Sequence, residues 1–174
     1  QKPYSQNILL TQNFRISLDI TPGGFMTDPS QMSVSIAGNT VQYNEQTSLY
    51  TTVLEKSNDN SYYPYRISYP DMFTKEGKIH VTKHETISVS FADYHKVTFT
   101  SSDIEKYALS EIYVNSTQGG QSDYCEADHG YYLSDGEYEI SATITDRTTQ
   151  ESFPGISKQK FTVAGQDMTV TYTL

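Results

Sequence analysis

Short runs of alternating apolar residues recur along this chain, and the runs themselves recur at a fixed distance. Ile16 aligns with Val97, Leu18 with Phe99, Ile87 with Met168, Val89 with Val170 and Phe91 with Tyr172, all 81 positions apart. Ile79 and Val81 match Phe161 and Val163 at an offset of 82, so the second copy is one residue shorter than the first around Gly165. Each run puts apolar side chains on one face and Thr, Ser, His or Lys on the other, the period-two signature of a half-buried strand. Residues 79–99, IHVTKHETISVSFADYHKVTF, form the seam where one such unit closes and the next opens. The pattern predicts two tandem domains, 1–93 and 94–174, whose first strands (14–20 and 96–100) and last strands (86–91 and 168–174) correspond. Each is smaller than a typical domain.

The rest of the chain reads the same way. Met32, Val34 and Ile36 share one face, as do Tyr65, Ile67 and Tyr69, and Tyr138, Ile140, Ala142 and Ile144. TPGGFMTDPS, KSNDNS and TQGGQSD are turn or loop clusters. PDMFTKEGK is a connection with room for one helical turn. SSDIEKYALSE at 101–111 is the best helix candidate, with Ser102 or Asp103 as cap. About seven strands per unit, with turns every 8 to 12 residues, point to an all-β chain of two small β-sandwich domains, with transthyretin-like and Ig-like Greek-key topologies both compatible. The segment NILLT at 7–11 matches the closing strands ISVSF and MTVTY, a third copy with no module before it to close. Intramolecular pairing is the expectation for it, and linkage of subunits the alternative.

Composition narrows the function. A net charge of −9 argues against nucleic acid and against anionic membrane surfaces, both of which require basic patches. Fifteen tyrosines, no tryptophan and frequent Ser and Thr suit strands on a solvated sandwich. A single cysteine, Cys125, excludes an intrachain disulfide and a cysteine-based zinc finger. No run is long and apolar enough for a membrane-spanning helix.

The run ADHGYYLSDGEYEISATI resembles the core signature of transthyretin-like (prealbumin-like) modules, including the Cna B-type repeats of bacterial surface proteins. Asp128, Gly130, Leu133, Gly136 and Tyr138 take the signature places. In the first unit Tyr65 stands where Tyr138 does, while Pro64 and Asn60 replace the turn glycine and the plug leucine. The resemblance implies a non-enzymatic structural or adhesive module of an exported bacterial surface protein of fimbrial or adhesin type, possessing no cofactor. Its implied partners are other surface-protein subunits or host and glycan ligands, and its implied location is secreted or at the cell surface. Some Cna B-type modules carry an internal Lys–Asn/Asp isopeptide bond. Here Lys96 matches the lysine role, but MTVTYTL has no Asn or Asp, Asp167 lies only at its edge, and Arg15 replaces the lysine in the first unit. No cross-link is expected.

Other chemistry is thin. Asp123, Cys125, Asp128 and His129 form a compact group of potential ligands, with His80, His84 and His95 near the seam, but the spacing fits no standard metal site. There is no G-x-S-x-G and no histidine placed by a recognisable partner, so no catalysis is expected. NSTQ at 115–118 matches the N-glycosylation triplet. The alternative function is carbohydrate binding. Parity buries Tyr65, Tyr69 and Tyr138, which leaves Tyr62, Tyr63, Tyr131 and Tyr132 as exposed platforms for sugar rings.

Overall fold

In a computed structural model, residues 11–126 and 129–174 are described, and among them the regular structure is strand throughout, save one 3-10 turn at Pro29–Gln31. The chain divides into two compact units. The first gathers the described residues up to Thr21, Ser33–Ile67 and Glu76–Val89; the second gathers Pro22–Met32, Ser68–Lys75 and Ser90–Leu174. The chain is thus not cut at one point, because two connecting segments of the first ninety residues group with the second unit. Residues 7–10 of NILLT and Asp128 lie outside the described residues.

The strands of the first unit are β1 (Asn13–Thr21), β2 (Ser33–Ile36), β3 (Asn39–Thr40), β4 (Tyr43–Asn44), β5 (Leu49–Glu55), β6 (Tyr63–Ser68), β7 (Lys75–Ile79) and β8 (Glu85–Ser90). They form two four-stranded sheets, ordered β4-β5-β1-β8 and β3-β2-β6-β7. Alternation decides what is inside. Ile16, Leu18, Val34, Ile36, Ile67, Ile79, Val81 and Val89 are all at most 3% exposed. Ser17 is buried with them, and its hydroxyl shares a hydrogen bond of 2.8 Å with Thr51 Oγ1, which satisfies a group that burial would otherwise penalise.

The second unit holds β9 (Tyr94–Ser101), β10 (Tyr107–Ser116), β11 (Ser122–Glu126), β12 (Tyr131–Ser134), β13 (Gly136–Asp146), β14 (Ser152–Pro154), β15 (Gln159–Val163) and β16 (Met168–Tyr172). One sheet is ordered β12-β9-β16. The other runs β11-β10-β13, and both β15 and β14 pair along the far side of the long β13. β16 runs parallel to β9, from Met168 opposite Val97 to Tyr172 opposite Ser101. The core collects Phe73, Val97, Phe99, Ile112, Val114, Tyr131, Leu133, Tyr138, Ile140, Val163 and Tyr172 among others.

The helix proposed at 101–111 does not form. Residues 102–106 turn and β10 begins at Tyr107. A register shift between Leu109 and Glu111 makes both Ser110 and Glu111 face outward, so the inward positions change parity from Leu109 to Ile112 and Val114. That bulge broke the alternation and left a spacing that imitates a helix. PDMFTKEGK holds no helical turn either. Asp71 adopts φ 55°, Met72 bridges in parallel to Tyr132, and Phe73 N–H donates to Tyr132 O at 2.9 Å.

The signature residues in the second unit have clear local roles. Gly136 adopts φ 152° at the first position of β13, a region that side chains disfavour. Gly130 lies under the aliphatic stem of Lys96, whose Cε occupies the space that a Cβ there would need. Leu133 is fully buried. The Tyr138 ring stacks on Phe161, while its hydroxyl donates to Ser134 O at 2.8 Å.

Candidate functional site

The four tyrosines predicted to be exposed divide between buried and surface positions. Tyr62 is 58% exposed, and its ring lies 5.3 Å from that of His80. Tyr63 is half-buried and its hydroxyl donates to Glu55 O at 3.1 Å. Tyr131, by contrast, is 4% exposed, and its hydroxyl donates to Asp123 Oδ2 at 2.8 Å. Tyr132 is half-buried and covered by Phe25, with ring centroids 3.9 Å apart and planes at 10°. The expectation of exposure therefore fails for Tyr131 and Tyr132. Adjacent residues on a strand point to opposite faces, so one of the two had to enter the core. The other is covered by a residue of the Pro22–Met32 segment, more than a hundred positions away in sequence. Tyr65 and Tyr69, expected inside, are half-buried, and only Tyr138 of those three is fully inside.

A connected polar group in the second unit surrounds Asp123. Its Oδ2 accepts from Tyr131 Oη and from Thr74 N–H at 3.2 Å, and Gln121 Nε2 donates to Thr74 O at 2.7 Å. An open pocket beside it is lined by Tyr69, Asp71, Met72, Cys125 and Glu126. Burial, with the Asp123 and Asp71 carboxylates, pushes the Cys125 thiol up to about 12. The same burial, its hydrogen bond to Asp123 and the nearby charges also raise the Tyr131 phenol. Both groups stay protonated at neutral pH, the opposite of what an activated nucleophile requires. The geometry ties Ser68–Lys75 to the ends of β11 and β12, a structural task.

The histidines are dispersed, each in local use. His84 Nδ1 accepts from Arg15 N–H at 2.9 Å, His80 Nδ1 lies 2.9 Å from Ser61 O, His95 Nε2 lies 3.3 Å from Asp135, and His129 Nδ1 lies 3.2 Å from Glu126. Among the described residues, no three His, Cys, Asp or Glu side chains converge as a metal would require. Lys96 is exposed on the outer face of β9, beside the inward Val97. Its backbone N–H donates to Asp167 Oδ1 at 2.8 Å. No helix among the described residues is long and apolar enough to cross a membrane.

The set of platforms expected from the sequence includes neither Tyr113 nor Tyr124. They are cross-strand partners on β10 and β11, 44% and 46% exposed, with ring centroids 5.5 Å apart. The signal was there in SEIYVNS and SDYCE, where both tyrosines alternate with buried Ile112, Val114 and Cys125.

No family model matches this sequence, and no curated protein matches it. Solved structures similar to the chain include the Bacillus anthracis TIE protein, at 11% identity over 93% of this chain and 34% of that one, with a TM-score of 0.33. The major pilin subunit BcpA of Bacillus cereus is similar at 11% identity over 82% of this chain and 54% of that one, with a TM-score of 0.32. The pilus adhesin SpaC of Lactobacillus rhamnosus GG is similar at 10% identity over 94% of this chain and 28% of that one, with a TM-score of 0.29. This chain spans between about a quarter and about half of the length of these proteins.

Proposed function

We propose that this chain is a non-enzymatic structural or adhesive part of an exported bacterial surface protein, built from two copies of one β-sandwich module. The observation that carries the reading is the strand order. In the first unit the first strand lies between β5 and the closing strand, β5-β1-β8, and the second unit repeats this arrangement as β12-β9-β16. The facing sheets repeat as well, β3-β2-β6-β7 and β11-β10-β13-β15. Equivalent positions are buried alike: Ile16 and Val97, Leu18 and Phe99, Tyr50 and Tyr131, Val81 and Val163, Val89 and Val170. The pairing of β5 with β1 and of β12 with β9 differs by two residues in register, which preserves the face that every side chain presents. Repeated modules with polar outer faces and thiol and phenol groups held protonated suit a spacer or scaffold better than a reaction centre. The resemblance of the 127–144 run to surface-protein modules supports the cell-surface assignment.

Antibodies raised against the purified chain test this. They should label intact cells of the source organism. Labelling only after permeabilisation would overturn the surface assignment.

A further inference from the structure

The outer face of β10, β11 and β13 is laid out in rows across the strands. Glu126, Glu111 and Thr143 form one row, Tyr124, Tyr113 and Ser141 the next, and Ser122, Asn115 and Glu139 the third. Two things in this layout work against stability. Glu111 and Glu126 are directly opposed, and like charges in that position repel. Tyr113 and Tyr124 leave much of their rings in water at the sheet edge, where β11 has a neighbour on one side only. Small side chains at Ser141 and Thr143 leave the rings open from the β13 side. Among the described residues, His129 Nδ1 lies 3.2 Å from Glu126 Oε2 and Lys158 Nζ lies 3.8 Å from Glu139 Oε1. Glu111 Oε2 accepts a neutral bond from Thr143 Oγ1 at 3.2 Å, and no lysine or arginine pairs with it among the described residues. The Tyr124 phenol is raised by desolvation and then by the Glu111 and Glu126 charges.

We propose that this face docks an arginine-bearing extended segment of a partner polypeptide, with a guanidinium lying on the Tyr113–Tyr124 pair and forking to the Glu111 and Glu126 carboxylates. Charge complementarity selects the occupant. Aromatic faces attract cations, and arginine adds a planar group that stacks while its edge donates in pairs to carboxylates. An arriving cation also relieves the repulsion between the opposed glutamates. Consecutive rows lie about 7 Å apart, matching alternate side chains of an extended peptide. This inference rests on the face alone and stands or falls separately from the surface assignment.

The test uses the full chain and a blocked peptide of alternating Gly and Arg, followed by calorimetric titration at low and physiological salt. Binding should weaken as salt rises. E111Q/E126Q and Y113S/Y124S should each weaken it by about tenfold or more. E45Q/D59N, which removes the same charge from exposed positions of the first unit, should change it by less than roughly twofold. The alternating Gly–Lys peptide should bind more weakly than the Arg peptide. Melting curves identify any variant that fails to fold, and the isosteric E111Q/E126Q keeps the test valid if the tyrosine variant does. No binding, an equal loss in E45Q/D59N, or a neutral glucose oligosaccharide that occupies the tyrosines in place of the peptide would each overturn the proposal.

Discussion

The two units share a strand order but not a way of filling it. The first packs an aliphatic interior: Ile16, Leu18, Val34, Ile36, Ile67, Ile79, Val81 and Val89, with Tyr50 the one aromatic among its described buried hydrophobic residues. The second is aromatic, with Phe73, Phe91, Tyr94, Phe99, Tyr131, Tyr138 and Tyr172 all buried. A buried phenol requires a partner, and in the second unit those partners are loops or strand ends: Asp123 for Tyr131, Ser134 for Tyr138 and Ser157 for Tyr172. One strand order thus accommodates two kinds of interior. The hydroxyls then fix where the connections lie, and the second unit uses this device far more than the first.

The comparison breaks or sharpens at four places. Leu18→Ala and Leu133→Ala each empty a fully buried site and should cost about 2–5 kcal/mol. If the units are separate cooperative bodies, scanning calorimetry will show each variant moving a different transition. One shared transition, lowered by both, would mean that the division is only geometric. Next in size is an alkaline effect. Burial raises the Cys125 thiol to about 12 from its ordinary value of 9.0, so well below that ordinary value the thiol is neutral in folded and unfolded chains alike and contributes no slope. Between about 9 and 12 only the unfolded chain loses the proton, so stability falls as pH rises, by roughly 1.4 kcal/mol per unit at most. Cys125→Val should flatten part of that decline in the second unit and leave the first unchanged. The folded thiol should also resist alkylation at pH 8.

Tyr138→Phe keeps the ring stack but loses the bonds to Ser134, at an expected cost of about 1 kcal/mol. Tyr65→Phe, at the matching place in the first unit, should cost less than about 0.5 kcal/mol because that ring is half-exposed. Equal losses would remove the distinction between aliphatic and phenol-anchored interiors. The smallest effect concerns a turn. Ala37 sits at φ 53° before Gly38 in the two-residue link between Ile36 and Asn39. Asn-Gly is the preferred pair in that geometry, so Ala37→Asn should stabilise the first unit by about 0.5 kcal/mol, seen as a rise in its denaturant midpoint.

The inward positions were the most legible part of the sequence. Val34 with Ile36, Val97 with Phe99, and Ile140 with Ala142 and Ile144 are buried as their spacing predicts, because strand parity is a local property. What escaped was non-local. Nothing in TPGGFMTDPS says that Phe25 will lie on Tyr132, or in PDMFTKEGK that Met72 will bridge to β12. The bulge at Ser110 erased the parity signal of β10 by adding one residue. The four tyrosines chosen as platforms were selected without regard to cross-strand partners, whereas the exposed pair, Tyr113 and Tyr124, is defined by such a partnership.

The parallel pairing of β9 with β16 also governs when the second unit can form. Val97 meets Met168 across roughly 70 intervening residues, and closing a loop of that length costs on the order of 4 kcal/mol of chain entropy before any contact repays it. Two parallel neighbours cannot be joined by a tight hairpin, so no local step prepares the contact. During synthesis, then, β9 emerges early and waits, with one flank open, for the final strand of its own unit. Completion of the second unit is therefore a late, slow event set by topology, since its first strand has no finished sheet until β16 is present.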